Sequence, residues 1–263
     1  MNIGFIGAGN MATAMIKGLI NSEYINNDKV YVNSKFEEEV NKLVEEYGIN
    51  GVTKKELVNN SDVIVLAVKP NQYEEVIREI KEYNVNDILF ISIAAGLSIN
   101  NIENMFNKEI KLIRCMPNTP VMVSEGMIGI CKNSFARDDE LDMVKDMFRG
   151  VGRVEVVLES QMDAVVAVSG SSPAYVYIMI EAMADAAVLE GIPRDKAYTF
   201  AAQAVYGSAK MVLESGIHPA DLKDKVCSPG GTTIEAVKVL EDKGFRGCII
   251  EAMEACANKS RNM

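Results

Sequence analysis

Histidine is almost absent from this sequence: His218 is its single histidine. A zinc site built on histidines is therefore disfavoured, and a Ser-His-Asp triad requires His218 as its base. The five cysteines form no CxxC pair, and their number is odd. We expect reduced thiols in a cytoplasmic protein and no metal site, with one reactive thiol as the alternative.

Positively charged residues are outnumbered: the chain has 27 Lys and Arg and 37 Asp and Glu, which gives a net charge of −10. That sign disfavours binding to nucleic acid or to an anionic membrane surface. The longest uncharged run, Ala164–Ile180, is interrupted by Gly170–Pro173 and is shorter than the ~20 apolar residues of a membrane helix. No signal peptide is expected, because Ile3–Ile6 already has the pattern of a strand.

The 263 residues allow one large domain or two modest ones, and the hydrophobic pattern favours two. Up to about residue 158, apolar runs alternate with amphipathic helical patterns, which predicts a mostly parallel α/β sheet covered on both faces. The predicted strands are Ile3–Ile6, Val30–Val32, Val63–Val68, Ile88–Ile93, Lys111–Cys115, Met127–Cys131 and Val154–Leu158. Ala12–Asn21, Glu37–Tyr47 and Gln72–Tyr83 are typical of the helices between them.

From residue 159 to 263 the pattern is helical, which predicts a second, all-α domain after the 1–158 nucleotide-binding domain. Pro173–Ile180 is apolar nearly all round, so it must be buried on all sides. A bundle of about 100 residues offers little interior for such a helix. We therefore predict a homodimer through this helix, with burial inside one subunit as the alternative.

A glycine-rich turn follows the first predicted strand and opens a helix. It has the pattern G-x-G-x-x-A, formed by Gly7, Ala8, Gly9, Asn10, Met11 and Ala12. In a Rossmann domain, the first glycine makes a tight turn, the second lets the backbone approach a pyrophosphate, and the small third residue packs the helix on the sheet. The helix N-terminus then offers N–H donors to the diphosphate. The alternative is a glycine turn without a ligand.

The choice of dinucleotide is predicted from the end of the second strand, which reads Asn33-Ser34-Lys35. An NAD enzyme usually carries Asp or Glu there to bind the ribose hydroxyls. Here no acid would repel a 2′-phosphate, while a hydroxyl and an ammonium group would hold one. The sequence therefore favours NADPH, with NADH possible, over an ordinary turn with a solvated lysine.

Three further segments end predicted strands, where ligands of open parallel sheets bind. They contain these predicted cofactor-binding residues: Ala67, Val68, Lys69, Pro70, Ala94, Ala95, Gly96 and Asn118. The segment around Asn118, Met116–Pro120, is stiffened by two prolines and suits the nicotinamide end of the cleft. Alone, each segment is equally typical of a plain strand-to-helix turn.

A second glycine-rich turn, Ser228-Pro229-Gly230-Gly231-Thr232-Thr233, precedes a predicted helix. Thr232 and Glu235 have the spacing of a capping box. A helix N-terminus flanked by glycines and hydroxyls is a site for a carboxylate or phosphate. A purely structural cap would account for Thr232 and Glu235 but would leave both glycines unexplained.

Catalytic lysine is lacking on the long apolar helix, since none occurs between Pro173 and Lys196. β-Hydroxyacid dehydrogenases carry such a lysine, and oxidation of an alcohol needs a general base. Reduction of a protonated imine needs only weak acid–base help and fits better. A β-hydroxyacid dehydrogenase and a non-catalytic dinucleotide sensor remain the alternatives.

These motifs together resemble the pyrroline-5-carboxylate reductase family over nearly all of the chain. The resemblance is carried by Gly7–Ala12, Ala67–Pro70, Ala94–Gly96, Met116–Pro120, Ser169–Tyr175 and Leu222–Thr233. It implies a Rossmann domain, a helical substrate-binding and dimerisation domain, and reduction of 1-pyrroline-5-carboxylate to L-proline. It also implies a homodimer that assembles further into a decamer.

The resemblance further implies roles at the second glycine-rich turn. Backbone groups of Gly230, Gly231 and Thr232 would hold the substrate carboxylate, and Ser228 would also bind the substrate. Thr233 would bind the substrate near its ring nitrogen as the catalytic residue. The sequence departs from the family at three positions. Ser172 replaces a glycine before Pro173, and Lys54 and Lys225 stand where relatives often carry asparagine near the cofactor.

Overall fold

The first part of the chain is built on an eight-stranded sheet, in a computed structural model that describes residues 1–262. The strands are β1 (Ile3–Ile6), β2 (Val30–Asn33), β3 (Asn50–Gly51), β4 (Val63–Leu66), β5 (Leu89–Ser92), β6 (Lys111–Met116), β7 (Gly126–Lys132) and β8 (Gly152–Val156). Their order is β3-β2-β1-β4-β5-β6-β7-β8, and within the described residues β6 and β7 form the one antiparallel pair. The predicted mostly parallel α/β sheet is confirmed.

Helices cover both faces of this sheet. They are α1 (Asn10–Asn21), α2 (Glu37–Tyr47), α3 (Lys54–Asn60), α4 (Tyr73–Ile80), α5 (Ile99–Phe106), α6 (Asp138–Phe148) and the short α7 (Met162–Val165). One core lies between the sheet and α1, α2 and α6; the other lies between the sheet and α3, α4, α5 and α7. Alternate residues of each strand point into opposite cores, as shown by Phe5 and Ile6 of β1.

The order of strands places a topological switch point at β1, because β2 pairs with one side of β1 and β4 pairs with the other. The register aligns Ile6 with Asn33 on one side and with Leu66 on the other, so the ends of three strands lie side by side. In open α/β sheets, ligands bind in the crevice at this point. The fold therefore positions the predicted glycine turn and the two neighbouring strand ends around one crevice.

The helical path changes type at Gly170–Pro173. A π-helical turn, Val166–Gly170, follows α7 and is separated from α8 (Ser172–Leu189) by a one-residue bend at Ser171. Pro173 is accommodated because it occupies the first turn of α8, where its missing N–H is tolerated. The helical stretch Glu159–Leu189 is long and apolar enough to cross a membrane by length and composition, a property that the core helix of a soluble protein shares.

The chain divides into two compact units: residues 1–171 with the end of α12, and residues 172–255. The second unit contains α8, α9 (Arg194–Ser215), α10 (Pro219–Val226), α11 (Thr232–Asp242) and most of α12 (Phe245–Arg261). Its buried core is small and consists of Ala184, Ala197 and Ala201, where α8 and α9 pack. The domain boundary at 158/159 stays a prediction.

Many large apolar side chains of the second unit are exposed in the single chain. None of residues 172–180 is buried, and Tyr177 and Ile178 are 59% and 67% exposed. A soluble monomer rarely leaves such a contiguous apolar surface in water. The surface is therefore what a self-associating helix requires.

Candidate functional site

The first glycine turn has the two glycines that a dinucleotide site needs, for different reasons. Gly7 has φ +109°, and a Cβ there would lie 2.6 Å from the carbonyl oxygen of Ala67. The Gly7 N–H donates to the carbonyl oxygen of Asn33 at 2.8 Å, which ties the turn to β2. By contrast, the Cβ position of Gly9 has no heavy atom of the described residues within 4 Å. Gly7 is needed by the fold, whereas Gly9 keeps space free.

The N-terminus of α1 is open for an anion. Gly9 is its N-cap residue, and across residues 1–262 no side chain caps the helix. The first N–H groups of a 12-residue helix are therefore left for a ligand, and the helix dipole favours negative charge there. This uncapped end, beside the open space at Gly9, fits the diphosphate of a dinucleotide.

Most predicted cofactor residues come together in two cavities at this edge of the sheet. We call the first the adenosine cavity, because the sequence predicts the adenosine end of the cofactor there; it is lined by Gly7, Ala8, Gly9, Asn33, Ser34, Lys35, Ala67, Val68 and Lys69. We call the second the nicotinamide groove, after the cofactor end that the sequence predicts for it; it is lined by Gly9, Asn10, Met11, Ala67, Val68, Lys69, Pro70, Ala94, Ala95 and Asn118. Because Gly9 and Ala67–Lys69 belong to both, the two cavities adjoin. Ala12 lies in the core of the sheet, and Gly96 lines a separate polar cavity with Arg114.

A buried tyrosine fixes the strand ends under the groove. The Tyr73 hydroxyl donates to the carbonyl oxygen of Leu66 at 2.6 Å and lies 3.0 Å from Ser92 Oγ. Burial raises the pKa of Tyr73 well above its usual value, so the hydroxyl stays protonated as a donor. The ends of β4 and β5, which carry Ala67–Pro70 and Ala94–Gly96, are thereby held together.

The adenosine cavity contains acids that the sequence interpretation missed. Glu39 and Glu75 line it together with Lys35, Lys54 and Lys69. The strand end Asn33–Lys35 carries no acid, as the sequence shows, but Glu39 reaches the same cavity from the first turn of α2. The Ser34 hydroxyl donates to Glu39 Oε2 at 3.4 Å. Ser34, which the sequence predicts to bind the 2′-phosphate, therefore already has a carboxylate as its hydrogen-bond partner.

Two of the residues that depart from the family pattern have definite places. Lys54 lines the adenosine cavity and is held by Glu79, whose Oε2 lies 2.5 Å from Lys54 Nζ. Lys225 is exposed on α10 in the second unit.

Phe36 is a further residue of the adenosine cavity that the sequence interpretation missed. Lys35 Nζ lies 5.1 Å from the centre of its ring.

The second glycine-rich turn belongs to the second unit. The Gly231 N–H donates to the carbonyl oxygen of Ser228 at 3.0 Å, and Gly230 has φ +67°. With Pro229 before Gly230, this is the residue pattern of a type II turn. A Cβ on Gly231 would lie 2.4 Å from Ser228 Oγ. The positive φ of the turn requires Gly230, and a side chain at position 231 would have to displace the Ser228 hydroxyl. The turn thus gives a structural reason for both glycines, which corrects the inference that only a ligand explains them.

The predicted capping box at Thr232 is wrong. Helix α11 begins at Thr232, its N-cap residue is Gly231, and within the described chain no side chain caps it. The turn closed by Gly230 and Gly231 shifts the helix start by one residue, so Thr232 is already helical. Thr232 is exposed and Thr233 is half-buried. The uncapped first turn leaves N–H donors for a carboxylate, as the interpretation of this turn requires.

Buried thiols of the sheet are chemically quiet. Burial raises the pKa of Cys115 well above its usual value and raises that of Cys131 to about 11. Since the thiolate is the reactive form, neither side chain is a nucleophile near neutral pH. Within residues 1–262, no group of three His, Cys, Asp or Glu side chains is arranged to hold a metal ion.

The chain has the features of a Rossmann-type dinucleotide-binding protein: a glycine-rich turn and an uncapped helix lie at the switch point of a mostly parallel sheet, and a helical unit follows. Two family models match it: pyrroline-5-carboxylate reductase dimerisation over residues 159–263, and NADP oxidoreductase coenzyme F420-dependent over residues 2–96. The chain is 48% identical to the pyrroline-5-carboxylate reductase of Escherichia coli (strain K12), over 99% of this chain and 97% of that protein. It belongs to the pyrroline-5-carboxylate reductase family.

Solved structures agree with that assignment. A pyrroline-5-carboxylate reductase from Coxiella burnetii superimposes with a TM-score of 0.94 at 36% identity, covering 99% of this chain and 97% of that one. The Plasmodium falciparum pyrroline carboxylate reductase, solved with NADP bound, has a TM-score of 0.90 at 33% identity and covers 100% and 97%. The family assignment favours the reductase over the β-hydroxyacid dehydrogenase and the non-catalytic sensor.

Proposed function

We propose that the chain reduces the C=N bond of 1-pyrroline-5-carboxylate to give L-proline, with NADPH as the preferred cofactor and NADH as a possible one. The observation that carries this proposal is the 48% identity to a named reductase over nearly the whole of both chains. The open helix α1 and the two adjoining cavities supply the cofactor site that such a reaction needs.

The residues of the first unit fit a nicotinamide dinucleotide. The uncapped N-terminus of α1 holds the diphosphate, and Gly9 leaves room for it. Ser34 and Lys35 hold the 2′-phosphate, with Lys54 and Lys69 adding positive charge. When bound, the reduced nicotinamide supplies the hydride. Ala94 and Ala95 line the groove with small side chains, which lets a flat ring lie against the backbone.

The second glycine-rich turn is proposed to hold the substrate. The free N–H groups at the start of α11 bind the carboxylate, and the Thr233 hydroxyl is the hydrogen-bond partner of the ring nitrogen. A protonated imine is already activated, so no strong base is required. The imine carbon receives the hydride, the C=N double bond becomes single, and the nitrogen keeps its proton as a secondary amine. Thr233 positions this nitrogen without ionising.

Self-association is proposed to occur through α8, supported by its exposed apolar residues and by the dimerisation family model. Assembly of dimers into a decamer stays an expectation from the resemblance. We further propose a cytoplasmic enzyme without nucleic-acid or membrane partners, on the basis of its net charge of −10.

The test measures activity with a panel of substrates through the absorbance of NADPH. We expect fast oxidation of NADPH with 1-pyrroline-5-carboxylate and little with pyrroline-2-carboxylate. With β-hydroxyacids and NADP⁺, we expect little formation of NADPH. A higher kcat/KM for pyrroline-2-carboxylate or for a hydroxyacid would overturn the proposed substrate.

A further inference from the structure

Asn118 is a buried side chain whose amide is engaged at both ends. It is 8% exposed. Its Oδ1 accepts from the Met127 N–H at 2.8 Å, and its Nδ2 donates to the carbonyl oxygen of Ser169 at 3.1 Å. Only a group with an acceptor and a donor on one planar carbon makes both contacts. The side chain therefore joins the loop after β6 to β7 and to the π-helical turn.

The π-helical turn needs such a partner. Its i to i+5 hydrogen bond runs from the Ser171 N–H to the carbonyl oxygen of Val166 at 2.8 Å. A π turn inside a helix disturbs the ordinary pairing of its carbonyl groups and is found mostly at functional sites. Here the Ser169 carbonyl is directed to Asn118. The turn is thus tied sideways to the loop rather than along a regular helix.

The same turn and loop form one wall of the nicotinamide groove. Met116, Asn118, Thr119 and Gly170 all line it. A Cβ on Gly170 would lie 2.8 Å from Met116 Cε, so the turn and the loop are in close contact. A change in the Asn118–Ser169 hydrogen bond therefore alters the width of the groove at its nicotinamide end.

We propose that Asn118 is a positioning residue, which sets the nicotinamide end of the groove by holding Ser169 and Gly170 against the loop Met116–Thr119. The inference rests on the proposed function, because it assigns that groove to the nicotinamide. Asn118 acts through Ser169 and Met127, and its effect is confined to the nicotinamide end, away from the adenosine cavity.

The chain offers a matched control in Asn133, at the opposite end of β7. Asn133 is 6% exposed. Its Oδ1 accepts from the N–H groups of Leu112 at 3.1 Å and Ala136 at 2.9 Å, and its Nδ2 donates to the carbonyl oxygen of Ile110 at 2.7 Å. Its Nδ2 also donates to Glu103 Oε1 at 2.8 Å. Like Asn118, it is a buried asparagine that joins backbone segments, but it lies on the edge of the sheet away from the groove. Its loss costs stability without changing the groove.

The experiment compares Asn118→Ala, Asn118→Asp and Asn133→Ala in the full chain. Two affinities are measured for each: NADPH by nicotinamide fluorescence, and 2′,5′-ADP, which carries only the adenosine end, by calorimetry. We expect Asn118→Ala to weaken NADPH about tenfold relative to 2′,5′-ADP and to lower kcat by about ten- to a hundredfold, as misplacement of a positioning group does. Asn133→Ala should leave the affinity ratio and kcat unchanged while lowering the melting temperature.

The aspartate variant adds a pH readout that a merely structural role would not move. Ionised, its carboxylate repels the Ser169 carbonyl, whereas the protonated form restores both the donor and the acceptor. Burial raises the pKa of such a carboxyl, so its deficit in kcat relative to the unsubstituted protein should shrink as the pH falls from about 8 to about 5. This variant also tests the proposal if Asn118→Ala fails to fold.

Three results would overturn the inference: an NADPH affinity that is unchanged or falls only as much as the 2′,5′-ADP affinity in Asn118→Ala, the same loss of kcat in Asn133→Ala, or a deficit of Asn118→Asp that does not vary with pH. If the unsubstituted protein fails to turn over 1-pyrroline-5-carboxylate, the proposed function fails. The ratio of the two affinities still decides the role of Asn118 in that case.

Discussion

The two glycines of the first turn give a sharp test, because the structure assigns them opposite consequences. Gly7 has φ +109° and a Cβ position 2.6 Å from a backbone oxygen, whereas Gly9 has φ −72° and an unobstructed Cβ position. We predict that Gly7→Ala damages the fold and that Gly9→Ala damages only cofactor binding. The two substitutions add the same methyl group two residues apart, so each is the control for the other.

The loss of folding free energy expected for Gly7→Ala is the sum of two contributions. A positive φ costs an alanine roughly 1–2 kcal/mol, and forcing an atom into a packed region costs roughly 1–3 kcal/mol. A total of about 3 kcal/mol, at about 2–4 °C per kcal/mol for a domain of this size, lowers the melting temperature by about 6–12 °C.

Gly9→Ala should behave differently. Its backbone conformation suits alanine, so the melting temperature without cofactor should stay within about 2 °C or rise slightly, since Gly→Ala at a compatible site stabilises by about 0.4–1 kcal/mol. The added methyl group occupies the space left for the diphosphate, so NADPH affinity should fall at least about tenfold, or about 1.4 kcal/mol.

Thermal melting without cofactor and a fluorescence titration with NADPH measure both effects on the same samples. Unchanged NADPH affinity of Gly9→Ala, or an unchanged melting temperature of Gly7→Ala, would contradict these roles of the two glycines.

Three further predictions follow from the site and the interface. Thr233→Val should lower kcat about tenfold to a hundredfold, since a transition-state hydrogen bond is worth about 1–3 kcal/mol, and full activity of this variant would exclude a chemical role for the Thr233 hydroxyl. Thr232→Ala removes no cap, so its melting temperature should stay within about 2 °C of that of the unsubstituted protein. Glu39→Gln should raise the affinity for NADPH more than the affinity for NADH, and Ser34→Asp should lower the affinity for NADPH far more than the affinity for NADH. Direct titrations measure both, and equal changes for the two cofactors would contradict the assignment of this cavity to the 2′-phosphate. Ile178→Asp should shift the sedimentation of the protein toward the monomer at low micromolar concentration, and an unchanged sedimentation coefficient would exclude α8 as the interface.

Hydrophobic periodicity predicted most of the sheet, because buried parallel strands are short, nearly continuous apolar runs. β1 is observed as predicted, at Ile3–Ile6. β3 was missed because it consists of Asn50 and Gly51, which have no apolar pattern and pair with β2 through the backbone.

The site was predictable where a motif is a backbone device and unpredictable where side chains converge from separate elements. The G-x-G-x-x-A turn is local, so its position at the switch point could be predicted. Glu39 enters the adenosine cavity from α2, and only the packing of α2 beside β2 brings it to Ser34. The hydrogen bond from Asn118 to Ser169 spans 51 residues, and no spacing rule indicates it.

Product analysis decides whether the protein makes L-proline. The purified protein is incubated with L-1-pyrroline-5-carboxylate and limiting NADPH, and L-proline is measured by chiral chromatography against the NADPH consumed. We expect equal amounts of L-proline formed and NADPH oxidised, and no L-proline when either reactant is omitted. NADPH binding without formation of proline would contradict it.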